Sequence, residues 1–467
     1  MDHHRSHQLW LAEQETVRKL RAERPELNDY VGEFQHQDIL HHIGITTIPV
    51  GLPIGYIRFR PEDFIVEEID TTGKLATIEP ESTALIAGDD RRTLYCQLIK
   101  IGIATPEALD RLSIATGIDR RRIGYAGLKD AGAVTSQNIS LRGSQYETVH
   151  REQIENVLLK RFRYGSGTIA NGDLRGNRFT LTIRTEQPIE QAQLDDYCRH
   201  LSKGVVNFYG PQRFGNRWLS HYFGRYVLRG QYEKAVISFL TDVNAGERKY
   251  IGLVRQSVRE HSKDWAFSEE AYSVYPYSFQ HELTVVRYLH EHPDDWLGAL
   301  SSISEQTRLW IYAYMSWLVN QTMSDLTSSG QQLPRALPVP LSTQVNDQLP
   351  YRGLLEQDGL SQNFVANLRP LPFIRPQTRY LETIVVPKFH GQLTHPIGCV
   401  LSFDLPAGAY ATTMLMNLFT LESGQPAPSW IKPDELDAKE LLGTGSIQQL
   451  KRQYGQYFTV KDISENE

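Results

Sequence analysis

Residues 178–185 read RFTLTIRT, and apolar and polar side chains alternate along this stretch. Phe179, Leu181 and Ile183 fall on one side, and arginine and threonine side chains fall on the other. A period of two is typical of a β-strand, because successive side chains point to opposite faces. The stretch therefore predicts a strand with one apolar face.

The segments before this strand predict a second strand and a helix. In GYIRFRPEDFIVEEI (residues 55–69), Pro61 interrupts the pattern and an apolar run that suits a half-buried strand follows it. A helix is expected to begin with Thr105 as its cap and Pro106 in its first turn, and to stop at Gly117. The glycine-rich sequence after this helix returns to a strand pattern.

The segments after the strand change from helix to strand. A helix is expected from Pro188 to Gly204. Residues 219–329 are helical in pattern and rich in Tyr and Trp, and short β-type runs reappear at 383–386 and 400–403. A β-rich, helical, β-rich order predicts one α+β body that is interrupted by an inserted helical domain.

Composition places the chain among globular proteins. Its 467 residues are 40% hydrophobic and 22% charged, which excludes collagen-like and largely disordered classes. Cys96, Cys198 and Cys399 are too far apart to form CxxC pairs, so no disulfide scaffold is expected and a reducing cytoplasm fits. The N-terminus lacks a signal-peptide pattern, and the apolar stretch at 309–319 is too short to span a bilayer. No membrane association is expected.

The charge distribution is uneven. The net charge of −6 argues against binding to nucleic acid, because an acidic protein repels phosphates. Residues 111–184, however, contain 13 Lys or Arg against 6 Asp or Glu. Such a segment can form a face that meets a polyanion, although chance clustering on a solvated surface is an equal alternative.

Several motifs of large enzyme classes are missing from the sequence. It contains no GxxxxGK[ST], GxSxG, HExxH or CxxC. His3, His4 and His7 lack an accompanying carboxylate pattern, so no metal site is assigned.

One acidic residue, Asp130, lies in an unusual setting. It occurs in GYAGLKDAGAVTSQ (residues 124–137), where glycines allow close approach of a bulky partner and Lys129 and Arg120–Arg122 supply positive charge. Neighbouring cations favour the ionised carboxylate, which is a usable nucleophile or base. The alternative is that Asp130 only forms a turn, as Asp commonly does beside glycine.

GYAGLKDAGAVTSQ resembles the signature of the TruD family of pseudouridine synthases, in which the Asp of this motif is the catalytic nucleophile. Four other stretches resemble motifs of the same family in the same order. They are RFRPEDFIVEEI (58–69), GNRFTLTIR (176–184), NFYGPQRFG (207–215) and LPAGAYATT (405–413). The resemblance runs from about Ile54 to Phe419 and covers most of the chain.

The resemblance implies a pseudouridine-synthase-like fold, α+β, with a mixed, mainly antiparallel sheet, flanking helices and an inserted, mostly helical TruD-type domain. The expected division is an N-terminal helical extension (1–44), the catalytic domain in two parts (45–215 and 369–425), the insertion (216–368) and a C-terminal polar extension (426–467).

The chemistry implied by the family is the isomerisation of a uridine within RNA to pseudouridine. The glycosidic bond to N1 breaks, the uracil turns, and C5 joins the ribose, with no metal or organic cofactor. The usual substrate is tRNA, at the uridine of position 13 in the D arm. Asp130 would either form a covalent bond to the sugar or base or help to remove a ribose proton, and the sequence leaves both routes open.

The family's pocket residues correspond to Phe64, Asn177, Phe179 and Tyr410 in this sequence. Phe179 can stack on the uracil, and Asn177 can both donate and accept hydrogen bonds at its edge. Phe64 and Phe179 could equally be core residues of their strands, and Asn177 could belong to a turn. The family usually has Phe at the position of Tyr410, and Tyr keeps the stacking face.

Three cations are candidate contacts to the RNA backbone, namely Arg58, Lys129 and Arg213. Arg58 stands where the family often has a Lys that pairs with the catalytic Asp, and Arg preserves this charge. Each cation could instead be an ordinary surface charge. The insertion (216–368) is the segment in which substrate choice is expected to vary.

Two other functions remain open from the sequence. One is a non-catalytic RNA-binding or RNA-folding protein on the same scaffold, and the other is an unrelated hydrolase that uses Asp130 with a histidine elsewhere. A cytoplasmic monomer with RNA, most often tRNA, as its partner is the expected state.

Overall fold

The computed structural model of the chain describes residues 3–32, 36–49, 51–87, 92–361, 364–424 and 427–455. The side chains of His3, His4 and His7 lie outside this description. The chain forms two compact units. The helical unit comprises Met1–Val50 and Val206–Ile384, and the sheet unit comprises Gly51–Val205 and Val385–Glu467. This grouping reflects contacts and not roles, so the five-part division expected from the sequence stays a prediction.

The strands, numbered in chain order, have the following bounds. They are β1 (Ile54–Tyr56), β2 (Phe64–Asp70), β3 (Leu85–Ala87), β4 (Thr93–Ile101), β5 (Ile123–Tyr125), β6 (Val134–Arg142), β7 (Val157–Gly165), β8 (Leu174–Thr185), β9 (Val205–Val206), β10 (Ala336–Pro338), β11 (Tyr380–Glu382), β12 (Ile384–Val385), β13 (Lys388–His395), β14 (Gly398–Pro406) and β15 (Thr420–Glu422).

The α-helices are α1 (His3–Glu23), α2 (His36–His42), α3 (Thr105–Thr116), α4 (Tyr146–Val149), α5 (Gln191–Leu201), α6 (Ser220–Leu228), α7 (Tyr232–Thr241), α8 (Lys249–Glu260), α9 (Trp265–Tyr272), α10 (Gln280–Glu291), α11 (Trp296–Ser302), α12 (Ser304–Ser328), α13 (Arg352–Gln357), α14 (Ala411–Leu415), α15 (Ala438–Leu441) and α16 (Ile447–Tyr454). Short 3₁₀ helices occur at Pro25–Asn28, Pro61–Asp63, Arg120–Arg122, Pro211–Phe214, Val345–Tyr351 and Phe364–Leu368.

The sheet unit is built on one large sheet. Its strand order is β13-β14-β8-β2-β6-β4-β7-β3, with β1 beside β8, β15 beside β1, and β5 beside β6. Three pairs are parallel, namely β2 with β6, β1 with β15 and β3 with β7, and the other pairs are antiparallel. The predicted α+β fold with a mainly antiparallel sheet is confirmed.

Strand β8 is the predicted strand at 178–185, extended at its start to Leu174. Its apolar side packs in a core that includes residues of α5 and α14. The polar side is buried as well, since Thr180, Thr182 and Arg184 are at most 1% exposed. Arg184 is neutralised by Asp63, with Nε to Oδ2 at 2.9 Å and Nη2 to Oδ1 at 3.0 Å. Both faces of the sheet are therefore covered around this strand.

The predicted helix ends need two corrections. Helix α3 starts at Thr105, but Ala104 is its N-cap and no side chain caps it. The Thr105 hydroxyl instead binds residues outside the helix, as described with the candidate site. Helix α5 begins at Gln191 and not at Pro188, because Glu190 is its N-cap.

Residues 427–455, within the predicted C-terminal polar extension, pack on the sheet. Ile447 and Leu450 are buried in a core with residues of β2, β4, β6 and β7. Lys439 lies 2.7 Å from Glu67 in an ion pair whose side chains are 3% and 1% exposed. Charge pairing thus lets a polar segment cover one face of the sheet. The rest of this extension lies outside the described residues.

The helical unit is organised around α12. This helix contains buried side chains along its whole length and packs extensively against α6. Asn320 on α12 is fully buried and binds backbone groups of two other segments, at Ile43 and Tyr209. Strands β10 and β11 pair in an antiparallel ribbon in the same unit.

Membrane-spanning helices and metal-binding clusters are both absent from the parts of the chain that the structure describes. None of the helices there combines the length and the apolar character that crossing a bilayer requires. Among the same residues, no cluster of three or more His, Cys, Asp or Glu is placed to hold a metal ion.

Arg184→Leu should lower the free energy of unfolding by about 3–5 kcal/mol, because it leaves the buried Asp63 carboxylate without its partner. Urea denaturation measures this loss. The matched control is Arg199→Leu, since Arg199 pairs with Asp196 on the surface and such pairs contribute about 0–1 kcal/mol. Equal effects of the two substitutions would contradict the interpretation.

Candidate active site

The sheet topology brings Asp130 and Arg58 together. Strands β2 and β6 are parallel neighbours, with Ile65 opposite Val134, so the segments that precede them lie at the same edge of the sheet. Arg58 precedes β2, and Asp130 precedes β6. Arg58 Nη2 lies 3.1 Å from Asp130 Oδ2, and the Asp130 side chain is 34% exposed. A carboxylate that is both paired and reachable is thereby presented at this edge.

The backbone of Arg58 adopts an unfavourable conformation. Its φ is +60°, a left-handed value that is uncommon for residues other than glycine and that costs free energy. The guanidinium lies over the Phe64 ring, 4.1 Å from its centroid. Nε is buried, and none of the residues that the structure describes forms a hydrogen bond with it. The backbone and the ring together direct the guanidinium towards Asp130.

The loop that carries Asp130 is anchored by a buried ion pair. Lys129 Nζ lies 2.7 Å from Glu68 Oε2, and the two side chains are 3% and 1% exposed. Glu68 also accepts a hydrogen bond from the backbone N–H of Asn138 through Oε1. Because adjacent residues of this loop cannot move independently, the ion pair fixes the backbone of Asp130.

Two further side chains hold the same loop. The Thr105 hydroxyl accepts a hydrogen bond from the Lys129 backbone N–H at 2.9 Å and lies 3.2 Å from Gln137 Oε1. Lys100 Nζ donates to the backbone carbonyl of Asp130 at 2.5 Å. Asp130 thus keeps its carboxylate for Arg58 and for a ligand, while buried neighbours bind its backbone.

Lys100 is fully buried, and its environment is unusual for a lysine. Burial lowers the pKa of its ammonium to about 7, and the opposing effect of Asp130 does not offset this. A neutral amine still donates a hydrogen bond, so the contact with the Asp130 carbonyl persists in both charge states.

The glycines around Asp130 differ in what they do. A side chain at Gly124 would meet the Ile169 carbonyl oxygen at 2.3 Å, so the fold itself requires glycine there. At Gly127 and Gly132, a Cβ would lie at ordinary van der Waals distances of 3.7 and 3.9 Å from its nearest neighbours, and neither residue has a positive φ. The fold itself would therefore accept a side chain at these two positions. The close approach that the sequence suggested for these glycines is made at Gly124 by the Ile169 backbone of the same chain, and the approach of a partner at Gly127 and Gly132 stays a prediction.

The register of the sheet places the predicted pocket residues on one face. Phe64 lies opposite Leu181 and Glu68 lies opposite Asn177 in the pairing of β2 with β8. Since opposed residues share a face and side chains alternate along a strand, Phe64, Glu68, Asn177 and Phe179 all project from the same face. The face that carries the Glu68–Lys129 pair is thus the face of the predicted pocket.

Burial differs among these residues. Phe64 and Phe179 are 1% and 7% exposed, and their ring centroids lie 6.2 Å apart in an edge-to-face arrangement. This burial agrees with their alternative interpretation as core residues of the strands. Asn177 is half-buried, and its Oδ1 is a buried atom that has no hydrogen-bond partner within the described part of the chain. This oxygen is therefore an acceptor whose hydrogen bond a ligand could supply if it reached the atom.

Tyr410 follows the end of β14, which pairs with β8. Pro406 lies opposite Gly176, and the Ala407 N–H donates to the Arg175 carbonyl at 3.0 Å. A Cβ at Gly176 would meet the Leu405 carbonyl oxygen at 2.2 Å, so only glycine allows this approach. The motifs around Asn177 and Tyr410 are therefore neighbours, and the Tyr410 side chain is half-buried.

The other two predicted cations are placed differently. Lys129 is buried in its pair with Glu68, which disfavours a contact with RNA phosphates. Arg213 belongs to the helical unit, where it lies over the Tyr209 ring at 5.5 Å. Their predicted roles stay predictions.

Glu68, Lys100 and Thr105 all hold the Asp130 loop, although the sequence did not mark them as site residues. A signal was present for two of them. Lys100 is the one charged residue of β4, and Glu68 follows the apolar start of β2 together with Glu67, so charges in these strands need buried partners. Thr105 gave no such signal, because a threonine at a helix start is commonly a cap.

Comparisons with known proteins agree with this geometry. Residues 51–371 match the family model described as tRNA pseudouridine synthase D (TruD). The chain belongs to the TruD family. The predicted family is thus confirmed, and with it the isomerase class.

Relatives of the chain include archaeal proteins. A "Probable tRNA pseudouridine synthase D" of Methanopyrus kandleri is 29% identical over 365 residues, which is 73% of this chain and 89% of that protein. A protein of the same name from Methanosarcina acetivorans is 30% identical over 61% of this chain and 62% of its own length. A crystal structure of a TruD protein from Methanosarcina mazei has a TM-score of 0.61 and 24% identity, covering 82% of this chain and 98% of that one. This last likeness confirms the fold.

The stability of the protein should depend on pH through Lys100. The pKa is about 7 in the fold and near its ordinary 10.5 after unfolding, so the unfolded chain binds more protons between these values. The free energy of unfolding of the unsubstituted protein, relative to Lys100→Met, should therefore rise with pH from about 7, by up to about 1.4 kcal/mol per pH unit.

Urea denaturation at pH 6.5, 7.5 and 8.5 measures this difference. Lys203→Met is the matched control, because Lys203 is an exposed lysine of the same unit and its difference should not change with pH. A flat difference for Lys100→Met would mean that the lysine stays charged in the folded protein.

Proposed function

We propose that this protein isomerises a uridine of tRNA to pseudouridine and that Asp130 is the nucleophile. The observation that carries the proposal is the half-exposed Asp130 carboxylate, paired with Arg58 on a loop that buried contacts hold. Membership of the TruD family supplies the reaction class. The names of the relatives support tRNA as the substrate.

The reaction needs an anionic group at the target nucleoside. The bond between ribose C1′ and N1 breaks, C1′ bonds to C5, and the proton lost from C5 is balanced by one gained at N1. An ionised Asp130 can bond to the nucleoside, or it can remove a ribose proton. Both routes start from the same carboxylate, and the ion pair with Arg58 holds that carboxylate in place.

The target uridine must leave its stack to reach Asp130, because base-modifying chemistry requires access to the nucleoside. Asn177 Oδ1, which is unpartnered among the described residues, would accept a hydrogen bond from the uracil N3–H. Tyr410 would supply an aromatic face for the base. Phe64 and Phe179 would form the apolar wall behind it, since both are buried.

The finer features of this function follow from the family resemblance. We propose position 13 in the D arm as the target uridine, a cytoplasmic location and a monomeric protein. The mapping of pseudouridine in RNA from cells with and without this protein tests the target position directly.

Asp130→Asn should abolish pseudouridine formation on an unmodified tRNA transcript, with a loss of more than about 1000-fold in kcat, because an amide cannot act as the nucleophile. Binding of the transcript should persist. The readout is pseudouridine content after incubation with excess enzyme.

Asp196→Asn is the matched control, since Asp196 is an exposed carboxylate of the same unit and should leave activity unchanged. Pseudouridine formation by Asp130→Asn at the unsubstituted rate would reject the role of Asp130. If the unsubstituted protein binds the transcript but forms no pseudouridine, the non-catalytic RNA-binding alternative takes its place.

Arg58→Met should lower kcat by about 10- to 100-fold with a smaller change in KM, because a hydrogen bond to a charged group is worth about 1.5–3 kcal/mol. Arg58→Lys should keep most of the activity, since the ammonium restores the charge beside Asp130. Steady-state kinetics with the same transcript measures both variants. Equal losses in the two would show that charge is not what Arg58 contributes.

A further inference from the structure

The helical unit contains a cavity of about 160 Å³. Its lining residues come from three segments of the unit, namely the 207–215 motif, α12 and the paired stretches around 339–341 and 375–379. Its buried side chains are Met315 and Leu341, which form an apolar floor at 1% and 4% exposure, and Ser316 beside them at 4% exposure. The volume is close to the roughly 150 Å³ of a cavity that holds one benzene ring.

Helix α12 and the 207–215 motif give the cavity its aromatic side chains. Tyr312, Met315 and Ser316 lie at i, i+3 and i+4, so they share one face of α12. Asn320, one turn further along this face, accepts a hydrogen bond from the Tyr209 N–H and donates one to the Tyr209 carbonyl. The Tyr209 backbone at the wall of the cavity is therefore fixed to α12.

The third segment presents cations at regular intervals. Residues 375–379 run beside 339–341, with the Gln377 N–H donating to the Leu341 carbonyl and the Val339 N–H donating to the Arg379 carbonyl. Since side chains alternate along an extended chain, Arg375, Gln377 and Arg379 project to one side, and all three line the cavity.

The charged residues that line the cavity are all cations. They are Arg213, Arg375 and Arg379, and none of the described residues around the cavity is acidic. In the described part of the chain, neither Arg375 nor Arg379 forms an ion pair with a carboxylate, and both are exposed. In a protein whose net charge is −6, such arginines mark a site for an anion.

We propose that this cavity binds one nucleotide of the RNA substrate other than the target uridine. The base lies between the tyrosines and the apolar floor, and the arginines contact the phosphates on either side of it. Aromatic stacking combined with arginine contacts is the usual way in which proteins hold unpaired nucleotides. The inference rests on the proposed function for the identity of the RNA, and it adds a second contact point that lies wholly in the helical unit.

An acidic peptide is the competing ligand for a basic cavity. The cavity favours a nucleotide, because its apolar floor and two tyrosines suit a planar ring, which an Asp or Glu side chain does not provide. Competition by poly-glutamate in the experiment below separates the two ligands.

The test is the affinity of the full-length protein for an unmodified tRNA transcript, measured by fluorescence anisotropy across a series of salt concentrations. The double variant Arg375→Gln, Arg379→Gln should bind at least about tenfold more weakly. Its plot of log affinity against log salt should be shallower by about 0.7 for each phosphate that the variant no longer binds. Tyr312→Ala should weaken binding by about 5- to 100-fold without a change in this slope.

Arg369→Gln is the matched control, since Arg369 is an exposed arginine of the same unit that does not line the cavity, and its affinity and slope should stay unchanged. Thermal unfolding of each variant verifies that it folds. The KM for the transcript should rise in the cavity variants by the same factor as the Kd.

The outcomes separate this inference from the proposed function. If the protein forms pseudouridine but the cavity variants bind like the control, the cavity proposal fails alone. If the unsubstituted protein forms no pseudouridine while the cavity variants still bind RNA more weakly and with a shallower slope, the proposed function fails and the cavity proposal stands. Displacement of the transcript by poly-glutamate at equal charge concentration would overturn the assignment to a nucleotide.

Discussion

The buried ion pair between Glu68 and Lys129 is the interaction on which the candidate active site depends. Both side chains are nearly inaccessible to water, and removing one partner of such a pair costs about 3–5 kcal/mol. Glu68 belongs to strand β2, and Lys129 is adjacent in sequence to Asp130. The ion pair therefore attaches the loop that carries the Asp130 carboxylate to the sheet. The hydrogen bonds from Lys100 and to Thr105 act on the same short loop. The partly exposed Asp130 carboxylate is thus held in place through a loop whose partners solvent does not reach.

Charge burial recurs across the sheet unit. Arg184 with Asp63, Lys439 with Glu67 and Lys129 with Glu68 each place a cation and an anion inside the fold. The first two pairs hold residues 427–455 against one face of the sheet. Arg184 also donates to the carbonyl of Lys432, and Lys439 belongs to α15, so both pairs involve this segment. The third lies on the face that carries Asn177 and Phe179. The same interaction therefore occurs on both faces of the sheet, where it helps to cover one face and holds the loop that carries Asp130 on the other.

The helical unit contains the second candidate site, the cavity lined by Arg213, Arg375 and Arg379. Its cavity combines an apolar floor with a cationic rim, and a single buried amide, Asn320, ties the 207–215 motif to α12. The positive charge at this rim was not evident from composition, because the basic excess of the sequence lies at 111–184, in the sheet unit. Alternation in RPQTR (375–379) places its two arginines on one side only when the chain is extended there. The local backbone conformation therefore decides that these two arginines line the same cavity, which the sequence of charges alone does not indicate.

The sequence by itself determined the strand at 178–185, the α+β class and the family, because alternation and ordered motifs are local properties of the chain, and it singled out Asp130 as the candidate nucleophile. It also placed Arg58 beside Asp130 through the resemblance. Only the tertiary structure decided that Lys129 is paired with Glu68, that Thr105 binds the loop and does not cap its helix, and that Phe64 and Phe179 are buried. The same holds for residues 427–455, which looked like a polar extension and cover the sheet. The physical reason is that partners far apart in sequence meet only through strand pairing. Burial also exists only in the folded chain, and it is burial that decides whether a charge binds a ligand or another residue.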